Sequence, residues 1–239
     1  NREIKAMTYF NHPTIIKFKG YSLEDFSGKK NVTIFMELAE NGSLRDILKN
    51  SIRGLAPHNY DNTAKQKILI GISRGMMLLH KNHLIHRDLK PENILLDKNL
   101  QPLITDFGLS KFYETGKSMN QSGMRGSYIY MAPEVGSNNN YNIKADVYSF
   151  GILMYEVISG QDPFPDVTNK KISFYKLPML IKEKNLRPTF DFPIKKSLQK
   201  LIESCLSINP NERPTFEQIF NKLAYNFDDF ISEDEDENE

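Results

Sequence analysis

Apolar residues in the first forty positions of the chain occur in short runs that polar stretches interrupt. Ile15–Phe18 and Val32–Leu38 are rich in β-branched and aromatic residues, and the polar, glycine-containing stretch SLEDFSGKKN lies between them. This alternation is typical of two strands joined by a hairpin turn. The charged opening NREIKAM is helix-like. The first sixty residues are therefore predicted to combine one helix with strands.

Beyond this point the apolar pattern is helical. The helix predicted over Lys65–His80 is amphipathic, because its apolar side chains recur every three or four residues. These are Ile68, Ile72, Met76 and Leu79. Asp146–Ser159 is apolar around most of a helical circumference, which predicts a helix buried on nearly all sides. A last helix is predicted over Phe216–Tyr225, opened by a capping box of Thr215 and Gln218.

Composition and charge limit the classes of protein. The 239 residues are 39% hydrophobic, which is enough to bury a substantial core. The formal net charge of +1 argues against a nucleic-acid or membrane-surface binder. No stretch approaches the roughly 18 apolar residues of a membrane span. The single cysteine, Cys205, excludes an intramolecular disulfide and favours an intracellular, cytoplasmic setting.

The two ends of the sequence carry separate expectations. The chain opens on Asn1 rather than methionine and has no apolar signal core, which we interpret as a fragment lacking its upstream part. Residues 226–239 end in EDEDENE, whose mutual repulsion predicts a disordered acidic tail. The folded domain is accordingly expected over residues 1–225.

The octamer HRDLKPEN, predicted on a loop after a helix, concentrates the groups that phosphoryl transfer requires. That reaction needs an aligned acceptor hydroxyl, neutralised charge and metal ions held against phosphates. Asp88 can accept a hydroxyl proton, Lys90 can lie beside the moving phosphoryl, and Asn93 can offer its carbonyl oxygen to Mg²⁺. A second metal carboxylate, Asp106, follows the apolar pair ILL and LIT, which predicts two strands.

HRDLKPEN, the DFG beginning at Asp106 and the APE ending at Glu134 resemble, in this order, the catalytic loop, metal-binding motif and activation-segment end of protein kinases. The resemblance covers about Asn1 to Tyr225. It implies an α+β, two-lobed fold with a partial β-rich N-lobe starting at helix C and a complete, mainly helical C-lobe. Asp146 resembles the aspartate that braces the catalytic loop, and Arg213 resembles the arginine that pairs with Glu134.

The resemblance also implies residue roles on the phosphate side. Asp88 is implied as the catalytic base with Lys90 and Asn93 beside it, and Asp106 as a Mg²⁺ ligand. Ser127 resembles the hydroxyl residue that bonds the catalytic aspartate and lysine in serine/threonine kinases, and the LKPEN loop is of that type. The stretches GSYIYMAPE and NPNERPTFEQI are similar to the tyrosine-kinase-like group of serine/threonine kinases.

On the nucleotide side the resemblance is incomplete. Glu3 resembles the helix glutamate that pairs with the nucleotide-gripping lysine, but that lysine strand and the glycine-rich phosphate loop are not in this sequence. Met36 resembles the residue at the back of the adenine pocket, Glu37 to Ala39 resemble the hinge, and Leu95 resembles the apolar floor for ATP. We therefore expect weak or no activity from these 239 residues alone.

The expected function is an ATP- and Mg²⁺-dependent protein kinase that phosphorylates Ser or Thr hydroxyls of protein substrates. The alternative is a non-catalytic, kinase-like interaction module, against which the intact Asp88, Asn93 and Asp106 weigh. Arg87 adds a regulatory hypothesis, because such an arginine can bind a phosphate on the activation segment. The candidates for phosphorylation by an upstream kinase are Ser118 and Ser122, with Thr115 as a further one.

Other patterns have less support. Three histidines spaced by three residues could suggest zinc, but zinc sites usually add cysteine or carboxylate ligands. These are His80, His83 and His86. Gly116-Lys117-Ser118 imitates the end of a P-loop, yet Lys111 stands where the first glycine is required. Four side chains resemble the internal stack that links the lobes of a kinase. These are Met7, Phe18, His86 and Phe107.

Overall fold

The computed structural model describes residues 2–112, 128–138, 141–169, 171–173 and 176–225. Its helices are α1 (Arg2–Tyr9), α2 (Leu44–Ile52), α3 (Asn62–Lys81), α4 (Pro133–Asn138), α5 (Ile143–Ser159), α6 (Pro165–Thr168), α7 (Leu177–Lys184), α8 (Lys196–Cys205) and α9 (Phe216–Tyr225). Its strands are β1 (Phe18–Ser22), β2 (Thr33–Met36), β3 (Leu84–Ile85), β4 (Ile94–Leu96), β5 (Pro102–Ile104) and β6 (Lys111–Phe112). The architecture is the predicted α+β, with a small strand-containing part followed by a larger helical part.

The N-terminal hairpin forms, but its first strand lies later than predicted. β1 and β2 pair antiparallel from Phe18 opposite Met36 to Ser22 opposite Thr33. Of the strand predicted over Ile15–Phe18, only Phe18 lies in β1. Ile15 and Ile16 are buried in the core, and Ile15 forms an isolated bridge to Ile104 of β5. The start of the apolar run therefore enters the core, and only its end joins the hairpin.

The three helices predicted beyond residue 60 are confirmed as α3, α5 and α9, whereas the described residues 2–60 contain two helices, α1 and α2, and not the single one predicted. The four apolar positions predicted for α3 are all fully buried, and Asp61 caps its start by accepting from the Ala64 N–H at 2.8 Å. α5 is buried continuously over residues 145–157. At α9, Gln218 N–H donates to Thr215 Oγ1 at 3.2 Å, and Thr215 N–H donates to Gln218 Oε1 at 2.8 Å. This reciprocal pair is the predicted capping box.

The strand pair β4–β5 lies against α3, at two glycines that permit a close approach. A Cβ at Gly71 would lie 2.4 Å from Pro102 Cγ, and one at Gly75 would lie 2.6 Å from Thr14 Oγ1. β4 and β5 pair antiparallel, with Ile94 opposite Ile104. This packing fixes the two strands that connect HRDLKPEN to the DFG segment.

Among the residues that the structure describes, no helix is both long enough and apolar enough to traverse a lipid bilayer.

Candidate functional site

A buried carboxylate on α5 holds the HRD segment in place. The backbone N–H groups of His86 and Arg87 each donate to Asp146 at 2.9 Å, one to each oxygen. His80 Nε2 lies 2.8 Å from the same carboxylate. Burial opposes the ionisation of Asp146, but the hydrogen bond with His80 and the backbone donors outweigh it and lower the pKa. The predicted bracing role of Asp146 is confirmed geometrically.

His86 connects this loop to the DFG segment. Its Nε2 lies 3.0 Å from the carbonyl oxygen of Thr105, and its ring packs against Phe107 with centroids 5.5 Å apart. Met7 of α1 and Phe107 are fully buried, and Phe18 is partly buried against the core. The four side chains of the predicted stack therefore all contribute to the interior, and the ring nitrogens of His80 and His86 have protein partners.

Asp88, Lys90 and Asn93 form one hydrogen-bonded cluster. Lys90 Nζ lies 2.6 Å from Asp88 Oδ2, and the Asp88 side chain is only 8% exposed. The Asn93 side-chain amide donates both to the Asp88 carbonyl oxygen at 2.7 Å and to Asp88 Oδ2 at 3.0 Å. Because the amide N–H groups are used in this way, the carbonyl oxygen is the atom of Asn93 suited to a cation.

The β4–β5 ladder brings Asp106 beside this cluster. Asn93 directly precedes β4, and Thr105 directly follows β5, where its N–H donates to the Asn93 carbonyl oxygen at 3.0 Å. Asp106 is the next residue and has a left-handed backbone, with φ of 61°. Its Oδ1 accepts from the Gly108 N–H at 3.3 Å. Asp106 therefore follows directly on the residue that bonds the Asn93 backbone, and an amide oxygen and a carboxylate are ligand types that a hard cation such as Mg²⁺ prefers.

The predicted adenine-side residues are exposed or partly buried. Met36 Sδ is 3.9 Å from the Thr105 hydroxyl, and Leu95 points away from the core face of β4. Glu37 N–H donates to the Lys17 carbonyl oxygen at 3.0 Å, and Glu37 Oε1 accepts from the Lys17 N–H at 2.7 Å. Ala39 packs partly buried against the core. The Glu37 N–H is therefore already engaged within the protein.

Several positions named in the sequence analysis lie outside the residues or side chains that the structure describes. Glu3 lies in α1, but its side chain is outside what the structure describes. Ser127, the candidate phosphorylation sites Thr115, Ser118 and Ser122, the Gly116-Lys117-Ser118 stretch and the tail at 226–239 also lie outside the described residues.

The predicted ion pair between Arg213 and Glu134 is confirmed. Arg213 Nη1 and Nη2 bind Glu134 Oε1 and Oε2 at 2.7 and 2.8 Å, and the Arg213 side chain is fully buried. Its Nε donates to the Ser207 carbonyl oxygen at 2.8 Å, and its guanidinium lies over the Tyr148 ring at 5.1 Å. The pair ties the start of α4 to the segment before α9.

The sequence interpretation missed a third charge cluster, which surrounds the partly buried Arg45 of α2 and includes the buried Glu156. Arg45 Nε lies 2.8 Å from Glu92 Oε1, and its Nη1 lies 3.0 Å from Glu156 Oε1. Tyr130 donates its hydroxyl to Glu156 Oε2 at 2.5 Å. Burial raises the pKa of Glu156, against the lowering effect of Arg45. One signal was available, since a charge within the all-round apolar α5 requires a buried partner.

Comparison with known proteins agrees with this geometry. The family model described as the protein kinase domain matches residues 1–223. The chain therefore belongs to the protein kinase family, and its architecture is consistent with the two-lobed kinase fold.

The curated relatives carry kinase names. A dual specificity protein kinase, shkA, of Dictyostelium discoideum is 36% identical over 226 residues, covering 93% of this chain and 40% of that protein. A probable serine/threonine-protein kinase of the same organism is 32% identical over 226 residues, which cover 94% of this chain and 16% of that protein. Another probable serine/threonine-protein kinase of that organism, kinX, is 33% identical over 225 residues, which cover 93% of this chain and 19% of kinX. The chain spans 40% or less of the length of these relatives.

Proposed function

We propose that the protein containing this chain transfers the γ-phosphoryl group of ATP to serine or threonine hydroxyls of protein substrates. The observation that carries the proposal is the cluster of Asp88, Lys90 and Asn93 adjoining Asp106 within a protein kinase fold. The LKPEN loop and the names of the serine/threonine-kinase relatives support this acceptor class, whereas shkA is named a dual specificity kinase. Membership of the tyrosine-kinase-like group belongs to the same proposal.

The chain's own residues supply the acceptor chemistry. The substrate hydroxyl donates a hydrogen bond to Asp88, and its oxygen forms a bond to the γ-phosphorus as the bond to the ADP oxygen breaks. Asp88 takes the hydroxyl proton late in the step. Lys90, at 2.6 Å from Asp88, stabilises the negative charge of the transferred group.

The phosphate side of the site would be completed by a metal. Asn93 and Asp106 are the residues that would hold Mg²⁺, which when bound neutralises charge on the phosphate oxygens. Ser127 is proposed, from the family resemblance alone, to hydrogen-bond Asp88 and Lys90. Glu3 is likewise proposed as the partner of a nucleotide-binding lysine.

Adenine is proposed to bind near Met36 and Leu95. The partly exposed faces of these two side chains provide apolar surface for the ring, and the backbone from Glu37 to Ala39 provides polar groups at its edge. The Met36 side chain lies next to Thr105, the residue that precedes Asp106. The adenine and phosphate positions would therefore adjoin.

The experiment is phosphate transfer from labelled ATP by the full-length protein that contains this chain, followed by phosphoamino-acid analysis. We expect Mg²⁺-dependent labelling of serine or threonine in the wild type and its loss in Asp88→Asn. Asp166→Asn is the matched control, because Asp166 is 61% exposed and pairs only with the surface Lys171 among the described residues. Labelling that survives Asp88→Asn would contradict the proposal. ATP binding without transfer would favour the non-catalytic interaction module.

A further inference from the structure

A groove of about 410 Å³ runs beside the catalytic loop and is not used by the chemistry proposed above. Helix α2 forms one wall, the segment just before Met131 forms another, and residues 160–168 close the end. The residues that matter for its chemistry are Arg45, Lys49, Ile52, Glu92, Ile129 and Tyr130. Both charged and apolar side chains are therefore available to a ligand.

The groove lies next to the phosphate acceptor position. Glu92 belongs to the same 3-10 turn, Pro91–Asn93, that carries Asn93 of the Asp88 cluster. Tyr130 lines the groove and also a small cavity whose wall includes Asp88. A polypeptide whose hydroxyl reaches Asp88 therefore has neighbouring side chains within reach of this groove. The inference that follows rests on the proposed kinase function.

Two carboxylates in the groove would attract a basic side chain of a substrate, but Arg45 already forms an ion pair with each of them. Its guanidinium bridges Glu92 at 2.8 Å and Glu156 at 3.0 Å, and it also contacts the Tyr130 hydroxyl. The Glu156 side chain is 9% exposed, and the Arg45 side chain is 21% exposed. The positive charge that binds this pair of carboxylates therefore comes from helix α2 of the protein itself and not from a substrate.

The rest of the groove does not favour a basic ligand. Lys49 adds a second positive charge on the same helix, while Ile52 and Ile129 present apolar surface. Asp162 also lines the groove, but its Oδ1 accepts from the Phe164 N–H at 2.8 Å. A substrate lysine or arginine would therefore meet the positive charges of Arg45 and Lys49, and at least one oxygen of each carboxylate in the groove is already engaged within the protein.

We propose that Arg45 is a specificity-determining residue that excludes basic side chains from the position next to the phosphorylated hydroxyl. By holding Glu92 and Glu156, it leaves a groove that accepts apolar or uncharged side chains of the acceptor protein. Removing the guanidinium would free the two carboxylates and convert the same groove into a site for lysine or arginine.

The test is a positional peptide library with a fixed serine acceptor, phosphorylated by the full-length protein. In the wild type, arginine and lysine should be selected no better than alanine at every flanking position. In Arg45→Met, selection of basic residues should rise about tenfold at one flanking position, as expected for a charge-assisted hydrogen bond. A wild-type preference for arginine or lysine, or an unchanged profile in a folded Arg45→Met, overturns the proposal.

Two further variants separate charge from structure. Lys49→Met makes a similar substitution one turn along the same helix wall, and because Glu92 and Glu156 keep Arg45, the profile should change by less than about twofold. Arg45→Met/Glu156→Gln removes the guanidinium together with the buried carboxylate of Glu156 and should lack most of the gain for basic residues. If Arg45→Met does not fold, the wild-type profile and the double variant still decide the matter. If no peptide is labelled by the wild type, the kinase function fails; an unchanged profile in an active enzyme overturns only the role of Arg45.

Discussion

The catalytic loop and the β1–β2 hairpin flank the same candidate site, yet they are held in opposite ways. In the loop the Asp88 side chain is 8% exposed, and Asp146 of α5, which holds the loop, is 1% exposed. In the hairpin and the segment after it, Phe26 is 93% exposed and Leu38 is 79% exposed. The loop is fixed by partners distant in sequence, since Asp146 lies 60 residues from His86. The hairpin turn is closed locally by Asp25, which accepts from the Ser27 N–H at 2.9 Å.

This difference separates preorganisation from binding surface. The proposed acceptor half of the site contains buried charges, whose removal is expected to affect both the geometry and the stability of the helical part. The proposed nucleotide half consists of more exposed side chains, whose removal is expected to change what the surface can bind at little cost to folding. Substitutions on the two sides should therefore have separable effects.

The largest effect is expected at Asp106. Asp106→Asn removes a negative charge from the proposed metal position, and we expect phosphate transfer to fall by about 10²-fold or more. The fold should persist, because an asparagine oxygen can still accept from the Gly108 N–H. Initial rates over a Mg²⁺ titration, with the melting temperature as control, measure both quantities. Wild-type rates at the same Mg²⁺ concentration would contradict the assignment.

Asp146→Asn should destabilise the protein by about 2–4 kcal/mol. Each oxygen of Asp146 accepts a backbone N–H, so the NH₂ group of asparagine must face one of these donors. Urea denaturation measures the free energy of unfolding. Because the pKa of Asp146 is lowered on folding, its stabilisation is complete above the unfolded pKa and is lost as the pH falls through the folded one. An Asp146→Asn variant that unfolds at the wild-type urea midpoint would contradict the stabilising role of this carboxylate.

Glu134→Gln should cost about 1–3 kcal/mol, because the fully buried Arg213 loses a bidentate partner. In an Arg213→Met background the same substitution should cost less, and the double-mutant cycle gives the coupling. Glu217→Gln is the matched surface control. Glu217 forms an ion pair with Lys81 in which the two side chains are 60% and 57% exposed, so we expect the free energy of unfolding to change by no more than about 0.5 kcal/mol. Equal costs at the two glutamates would remove the distinction between buried and surface pairs.

Glu156 should give the opposite pH dependence from Asp146. Burial raises the pKa of Glu156 on folding, so its contribution to stability is complete below its unfolded value of 4.5 and declines as the pH rises through the folded value. Glu156→Gln should therefore lose less stability than the wild type over that rise. Urea midpoints measured across the range test this, and parallel curves would show that Glu156 titrates as it does in the unfolded chain.

The smallest effect is expected at the nucleotide-side surface. Leu38→Ser should change the free energy of unfolding by less than about 0.5 kcal/mol, because the leucine is largely solvated already. Leu79→Ala, at a fully buried position of α3, should cost about 2–5 kcal/mol. Comparable losses in urea denaturation would mean that the exposed segment contributes to the core after all.

Much of the site could be predicted because its information is local. Asp88, Lys90 and Asn93 lie within six residues, so a loop of this composition brings them together. Asp106 follows after a short strand pair whose ladder places it next to Asn93. By contrast, the apolar run beginning at Ile15 could not reveal whether it would pair in the hairpin or enter the core. Apolar runs record burial and not the partner.

The amino-acid sequence by itself determined the helices α3, α5 and α9, the order of the motifs and the resemblance to the protein kinase family, because periodicity and motif spacing are properties of neighbouring residues. Only the tertiary structure decided that Arg45 occupies the carboxylates of Glu92 and Glu156 and that Glu37 uses its N–H on Lys17. These pairings join residues 47, 111 and 20 positions apart. A charged side chain that becomes buried needs a hydrogen-bonding or ion-pair partner. Which partner it contacts depends on how the helices pack and not on any local sequence pattern.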